Sequence, residues 1–384
     1  MRVCIAGAGP AGLLLSVLLR RRGVTLLVLE RAALATHSTA RSIGVVLSRR
    51  GQTAELQHVD GSCLVGRVFH RGNGEQLVPF GGQLLGIERR SVTEQLGGEQ
   101  HVTRGQVLRV GAGGEVVWRD AAGTERSDRF DLVVGADGRD SAVRGQASEV
   151  RAHVAWIDHE WRTAQLPQMP AQLRRDCIHV WPLPGGFFHL MPVGSRGGCV
   201  GTLVLAREAM GAFEQCFRAL QSPLNVEKVI ASLRQCERSG RFATVHCDRY
   251  HDLERRIVLI GDAAHGTLVF AGQGMNVALE DAALLDGLLF ERGATVESAI
   301  GKFSHLRVAE MEAMHQLGSL AYASLTAPPA AWRTGYQRAM SRLLPARYPP
   351  SLYALVNLEG RRSFRESLAL VQRQNQWYKL GRIV

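Results

Sequence analysis

Apolar residues along this chain fall into short, uninterrupted runs near the N-terminus, and into longer, broken ones further on. Val3-Cys4-Ile5-Ala6 predicts a buried strand, the spacing from Gly12 to Arg22 predicts an apolar helix, and Val24 to Leu29 predicts a second continuous apolar strand that stops at Glu30. Strands covered on both faces lose the in/out alternation, so this order reads as a βαβ unit. Two short strands flank Gly111-Ala112-Gly113-Gly114 between Gln106 and Arg119, and Asp131 to Gly135 returns to a buried strand. Three strand-like runs, Cys177 to Trp181, Gly186 to Pro192 and Cys199 to Leu205, are separated by Pro184-Gly185 and Gly194-Ser195, the pattern of an antiparallel sheet. Ile257 to Ile260 is again fully apolar. A helix is predicted from Asn276 to Phe290, and the chain from Gly301 is mostly helical, with breaks at Pro328-Pro329 and Pro349-Pro350.

The predicted fold class is α/β with an α+β second domain. A Rossmann-like nucleotide-binding domain is discontinuous over 1–60, 88–150 and 240–310; an antiparallel-sheet substrate domain is inserted at 61–87 and 151–239; a helical region follows at 311–384.

Composition narrows the function classes. With 384 residues, 46% apolar and 21% charged, the chain can bury one or two large cores. No run approaches the roughly 18 consecutive apolar residues of a membrane helix. The first strand begins directly after Met1, so no leader is expected and the cytoplasm is the expected location. Seven Cys without a CxxC pair predict reduced thiols, and the thirteen His show no zinc spacing. His246 and Cys247 adjoin, but no metal is expected and a buried thiol is the preferred reading. A net charge of +11 raises the question of nucleic acid. Only Lys228, Lys302 and Lys379 are lysines, however, and the Arg pairs are spread evenly without interleaved aromatics, so a solvated surface and no nucleic-acid partner are expected.

Three strand ends carry the candidate chemistry. Gly7-Ala8-Gly9-Pro10-Ala11-Gly12 places G-x-G-x-x-G between a strand and a helix, where Gly7 makes the turn, Gly9 admits a pyrophosphate to the helix N-terminus and Gly12 lets helix and strand pack closely. Glu30, at the end of the next strand, is placed to accept ribose hydroxyls. Asp137 follows the strand ending at Gly135, and Asp262 emerges after Ile260 at the end where open sheets bind ligands. Gly272-Gln273-Gly274-Met275-Asn276 starts a helix whose free N–H groups suit an electron-rich ring oxygen. An Asp beside such a helix start fits the ribityl chain of FAD better than a nicotinamide.

The whole pattern resembles the single-component, FAD-dependent aromatic hydroxylases. GAGPAG at 7–12, DLVVGADGRDSAVR at 131–144 and RIVLIGDAAH…GQGMN…ED at 256–281 match that family's three fingerprints. Arg41-Ser42-Ile43-Gly44-Val45-Val46-Leu47-Ser48-Arg49-Arg50-Gly51 resembles a segment of the kynurenine 3-monooxygenase subfamily. The resemblance implies FAD as cofactor, held by Gly7, Gly9, Gly12, Glu30, Arg41, Arg89, Asp137, Asp262, Gly274, Met275 and Asn276, with NADPH or NADH binding transiently and O2 as co-substrate. It implies hydroxylation, through a flavin C4a-hydroperoxide, of a small aromatic acid, kynurenine or a kynurenine-like compound. Arg67 falls where that subfamily's substrate-carboxylate Arg belongs, Tyr353 at its second carboxylate ligand and Phe80 where the subfamily has Tyr. Gly44, Val269, Ala330 and His159-Glu160-Trp161 depart from the subfamily pattern as well. These substitutions keep open the same chemistry on an anthranilate, a tryptophan derivative or another biosynthetic aromatic. The missing loop Pro keeps open a flavin-binding reductase or sensor, whereas a halogenase is disfavoured because no WxWxIP segment is present. No side chain is assigned a catalytic role, because a flavin carries the chemistry itself; His265 reads as a structural partner of its loop, and His189 is not assigned to acid–base work.

Overall fold

The computed structural model describes residues 1–32, 44–72, 74–98, 100–220, 224–236, 240–326, 331–344, 348, 351–358 and 362–380. Arg41 and Ala330 lie outside the described residues.

The apolar runs near the N-terminus become the centre of an eight-stranded sheet. Its spatial order is His251–Asp252, Ile257–Leu259, Leu132–Gly135, Arg2–Ala6, Thr25–Glu30, Thr103–Val110, Glu115–Asp120 and Glu125–Arg129. The strands from Ile257–Leu259 to Thr103–Val110 pair in parallel, and the last two form an antiparallel meander at the edge. Parallel pairing brings the carboxyl ends of four strands to one side, which is why Gly7, Glu30, Ala136 and Gly261 gather there. The helix Pro10–Arg21 is continuous because Pro10 sits in its first turn, Leu13, Leu14, Leu15 and Leu19 are buried, and Arg20 and Arg21 complement its C-terminal dipole. Gly23, at a φ of 75°, ends it by donating to Arg20 O at 2.9 Å.

A second eight-stranded sheet runs in the order Gly240–Cys247, Ala152–Leu166, Gly198–Ala206, Gly186–Val193, Cys177–Leu183, Ser62–Arg71, Gly74–Glu88 and Gly44–Leu47. It is antiparallel except where Cys177–Leu183 meets Ser62–Arg71. Two strands expected with the nucleotide-binding unit, Gly44–Leu47 and Gly240–Cys247, are hydrogen-bonded here as its two edges. Both therefore lead the chain from one sheet to the other.

Period-2 alternation divides this sheet's side chains between two cores. Trp181, Phe188, Leu190 and Leu203 face one way, onto helices Phe213–Arg218 and Val226–Gln235. Val180, Phe187, Met191 and Val204 face the other way and join the main core under the first sheet. The C-terminal helices Val296–Thr326, Ala331–Leu343, Leu352–Leu358 and Phe364–Leu380 complete the molecule. Leu352–Leu358 lies on Gly74–Glu88, where a Cβ at Gly82 would come within 3.0 Å of Leu358 Cδ2. Among the described residues no helix is long and apolar enough to cross a membrane, and no group of three His, Cys, Asp or Glu is placed to hold a metal.

Candidate functional site

The Gly-rich loop is fixed by backbone crowding. Gly7 has a φ of 103°, and a Cβ there would lie 2.3 Å from Ala136 O; at Gly12 it would lie 2.0 Å from Gly7 O. Neither carbonyl can move without breaking a strand end, so no larger residue fits. A Cβ at Gly9 would instead face Arg89 Nη2 at 3.6 Å. Glu30 braces the loop, its Oε2 accepting from Ala8 N at 2.9 Å and its Oε1 from Ala32 N at 3.1 Å. The helix N-terminus beyond it opens into the cavity through Gly9, Pro10 and Ala11.

Asp137 shapes the second loop from behind. It accepts from the Ser141 hydroxyl and from Ala142 N at 2.7 Å and Val143 N at 3.2 Å, capping the helix Ala142–Gln146. Burial raises its carboxyl above the usual range, and these hydrogen bonds offset part of that rise. Its neighbours Ala136 and Gly138 line the cavity. Arg144 ties this loop to the next by donating to Ala263 O at 2.9 Å and Arg139 O at 2.6 Å.

Asp262 opens the short helix Asp262–His265 on the cavity wall. Gly261 before it has a φ of 59° and donates its N–H to Asp281 Oδ2 at 2.8 Å. Asp281 is fully buried, with His265 Nε2 at 2.5 Å and Arg307 Nε at 2.7 Å. Arg307 Nε and Asp281 Oδ1 are close but not aligned as a hydrogen bond, so that contact is electrostatic. Burial pushes the Asp281 carboxyl up, but the His265 and Arg307 pairings outweigh it and hold it below the usual range. His265 is thereby spent on its own loop.

Gly274 and Met275 face the cavity at the start of helix Gly274–Leu289. Asn276 lies behind them. Its Nδ2 donates to Val46 O and Gly272 O, both at 2.8 Å, and its Oδ1 accepts from Ser48 N at 2.9 Å. Every polar atom of this side chain is used by protein, so it positions the loop rather than facing the cavity. Gln273 donates to Asn357 Oδ1 at 2.7 Å, and Asn357 donates to Ala271 O and Tyr353 O, both at 2.9 Å. The loop is thus tied to the helix Leu352–Leu358, and a Cβ at Gly272 would meet Tyr353 Oη at 2.9 Å. Thr267 Oγ1 is buried without a protein partner and lies 3.4 Å from where a Cβ on Gly274 would stand.

All these segments border one cavity of about 310 Å³. The second sheet supplies much of its remaining wall, with Arg67, His189 and Thr202 among its polar side chains, and the helix Leu352–Leu358 adds Tyr353. Arg67 Cζ lies 3.5 Å from the Tyr353 ring centroid, and its Nε is buried without a partner. What exposure Arg67 retains is to the cavity, where burial lowers the guanidinium below its usual range without discharging it. Among the described residues it has no carboxylate in ion-pair range. Burial raises the Tyr353 phenol, while Arg67 pulls it the other way. Burial, then the Arg67 charge, lowers His189 to about 4, leaving a neutral imidazole. Phe80 stands behind Tyr353, centroid to centroid 5.1 Å, and does not line the cavity. At Gly44 a Cβ would displace the flexible Met191 Cε, 2.6 Å away, and press on Val200 Cβ at 3.2 Å. Thr202 and Thr267 are site residues that sequence reasoning missed. For Thr202 the signal was available, because it shares the in/out phase of Val204 along its strand.

The family described as FAD binding domain matches residues 1–48 and 107–316. Kynurenine 3-monooxygenase of Stenotrophomonas maltophilia is 29% identical over 386 residues, covering 90% of this chain and 84% of the relative. The enzyme of the same name from Myxococcus xanthus is 28% identical over 402 residues, covering 92% and 85%. Among solved structures, Klebsiella pneumoniae HpxO complexed with FAD and uric acid superposes with a TM-score of 0.72 at 18% identity over 93% of this chain and 97% of that one. Pseudomonas aeruginosa PqsL in complex with 2-aminobenzoylacetate gives 0.69 at 22% identity over 85% and 97%. At these identities the structures show a shared fold.

Proposed function

The chain belongs to the FAD binding domain family, and from that premise we propose that it is a FAD-dependent monooxygenase that hydroxylates the ring of a small aromatic acid, kynurenine or a kynurenine-like compound, with NADPH or NADH as reductant. Arg67 carries the substrate class. It is a cation turned into a largely apolar cavity, with no carboxylate of its own among the described residues, and a planar guanidinium takes a carboxylate through two parallel hydrogen bonds. The names of the two relatives support the same substrate class.

The residues on the other wall suit FAD. Gly9 leaves room for a pyrophosphate at the helix N-terminus, with Gly7 and Gly12 allowing the tight turn and close packing behind it; Glu30 stands at the strand end for the ribose, and Asp262 and the unpartnered Thr267 hydroxyl are available to a bound cofactor. Arg89 beside Gly9 and the N–H groups of Gly274 and Met275 complete that wall, with Asp137 shaping the loop behind it. Bound FAD would supply the redox chemistry by which NAD(P)H and O2 give one oxygen atom to the ring and the other to water. The chain's own task is orientation and exclusion of water. Arg67 and Tyr353 would fix the carboxylate end, while Ile178, Val180, Met191 and Val204 keep the ring's surroundings dry. Phe80, buried where it can offer no hydroxyl, favours as a second reading the same chemistry on another aromatic acid.

The experiment is NADPH oxidation by the purified yellow protein in air, with and without L-kynurenine, and the product mass from the same reaction. Stimulated oxidation with one oxygen added is the expected result. Stimulation without an oxygenated product points to an effector that uncouples the flavin. No response to kynurenine, but oxygenation of 2-aminobenzoate or a tryptophan derivative, selects the second reading, and no oxygenation of any aromatic acid refutes both.

A further inference from the structure

The cavity wall built by the second sheet is apolar at Ile178, Val180, Met191 and Val204, but two of its positions besides Arg67 are polar. His189 on Gly186–Val193 and Thr202 on Gly198–Ala206 are direct cross-strand neighbours, so both side chains leave the sheet side by side on the cavity face. The Thr202 hydroxyl is buried and has no protein partner. The ring nitrogens of His189 make no hydrogen bond to protein among the described residues, and the imidazole is neutral, offering one N–H and one lone pair. A valine would occupy the strand position of Thr202 without an unsatisfied hydroxyl, so packing alone does not account for the pair. Arg67 is close enough for its charge to act on His189, which puts the pair beside the carboxylate end of the cavity.

We propose that His189 and Thr202 are a specificity-determining pair that reads a hydrogen-bonding ring substituent, an aromatic amine or hydroxyl, on the carboxylate-bearing substrate. The inference rests on the reading that the cavity takes an aromatic acid, and it names which aromatic acids. A ring hydroxyl can donate to the imidazole lone pair and accept from the threonine hydroxyl, and an aromatic amine can give one N–H to the imidazole lone pair and the other to the threonine oxygen, so one substituent engages both groups. A ring without it leaves both unpaired in a dry wall. Sites built to pair a polar group discriminate strongly against the analogue that lacks it.

Calorimetric titration of the FAD-loaded protein tests this with two matched pairs, L-kynurenine against 2-amino-4-oxo-4-phenylbutanoate and 2-aminobenzoate against benzoate. The wild type is expected to bind each amino compound about tenfold or more tighter than its partner. His189→Leu and Thr202→Val are each expected to reduce that preference to about threefold or less while leaving the affinity for the unsubstituted partner nearly unchanged, and His189→Asn to restore part of it. Thr202→Val is nearly isosteric and keeps the test decisive if His189→Leu loses its flavin. Binding of all four acids with no ring preference, or with a preference that both variants retain, overturns this inference and leaves the aromatic-acid reading standing. Failure of every acid to bind overturns both.

Discussion

Asp281→Asn tests the idea that the Gly261-Asp262 turn is held by a buried charge cluster rather than by its own sequence. Asp281 is fully buried between His265 and Arg307 and accepts the Gly261 N–H at 2.8 Å. The amide keeps the oxygen that serves Gly261 and His265 but turns its NH2 toward the Arg307 Nε–H, donor against donor, and leaves Arg307 with Glu280 at 2.9 Å. Breaking a buried pair from one side costs about 3–5 kcal/mol. The surviving Glu280 contact argues for the lower end. At about 2.1 cal/mol/K per residue over the chain, 3 kcal/mol corresponds to a Tm roughly 4 °C lower if unfolding is cooperative.

The pH dependence supplies a second readout. The folded carboxyl lies below its unfolded value, so its stabilisation is fully present above about pH 4 and is lost as pH falls through the folded value. The gap between wild type and Asp281→Asn should therefore be full at neutral pH and narrow in acid. Thermal unfolding followed by circular dichroism, with bound flavin read by absorbance, checks both. A Tm change below about 1 °C, or a gap that does not narrow in acid, refutes the reasoning. Glu280→Gln is the control and should cost less, since that carboxylate is partly exposed.

Gly12→Ala would place a methyl 2.0 Å from Gly7 O, and the purified protein is expected to carry little or no flavin, measured as the ratio of absorbance at 450 to 280 nm; normal loading would contradict the crowding argument. Arg67→Met should weaken aromatic-acid binding by about 10–100-fold in calorimetry, the loss of a charge-assisted hydrogen bond, while flavin content stays as in wild type; loss of flavin instead would move Arg67 to the cofactor. His70 and His189 are lowered to about 4 and His315 to about 3, in each case chiefly by burial, so the unfolded chain takes up protons first as pH drops below about 6.5. Stability should fall across that window down to about pH 4, by roughly 3 kcal/mol per histidine at the limit, and His315→Leu should flatten the slope in denaturant titrations at stepped pH; an unchanged slope would remove His315 from the account.

The parallel centre of the first sheet was legible because strands buried on both faces are written as continuous apolar runs. The helix after Gly9 and the three loops at the strand ends were legible for the same reason, since their Gly and Asp stand directly after those runs. Ser62–Arg71 and Gly74–Glu88 were harder to read. One is half-buried in strict alternation, and the other carries Gly81, Gly82 and exposed polar residues, so neither looks like a core strand. That hairpin holds Arg67, which no local pattern distinguishes among so many arginines; the family resemblance alone pointed to it. Asn276 and Asp137 show the opposite limit. Their spacing marks the right loops, but only the hydrogen bonds reveal that both side chains face into the protein and shape those loops from behind.

The matched family region stops at residue 48, resumes at 107 and ends at 316, so Arg67, Arg89 and Tyr353 all lie outside it. Three of the segments that meet at the cavity are nevertheless one hydrogen-bonded unit. Asn276 reaches Val46 O and Ser48 N on the N-terminal side, and Gln273 and Asn357 clamp the same loop to the helix bearing Tyr353. Tyr353 in turn carries the Arg67 guanidinium on its ring. A change at the cavity-lining His189 or Thr202 can therefore alter which acid is accepted without disturbing the Gly-rich loop. A change at Gln273 or Asn357 acts on both walls, because the loop they hold borders the cofactor side while the helix beyond it borders the substrate side.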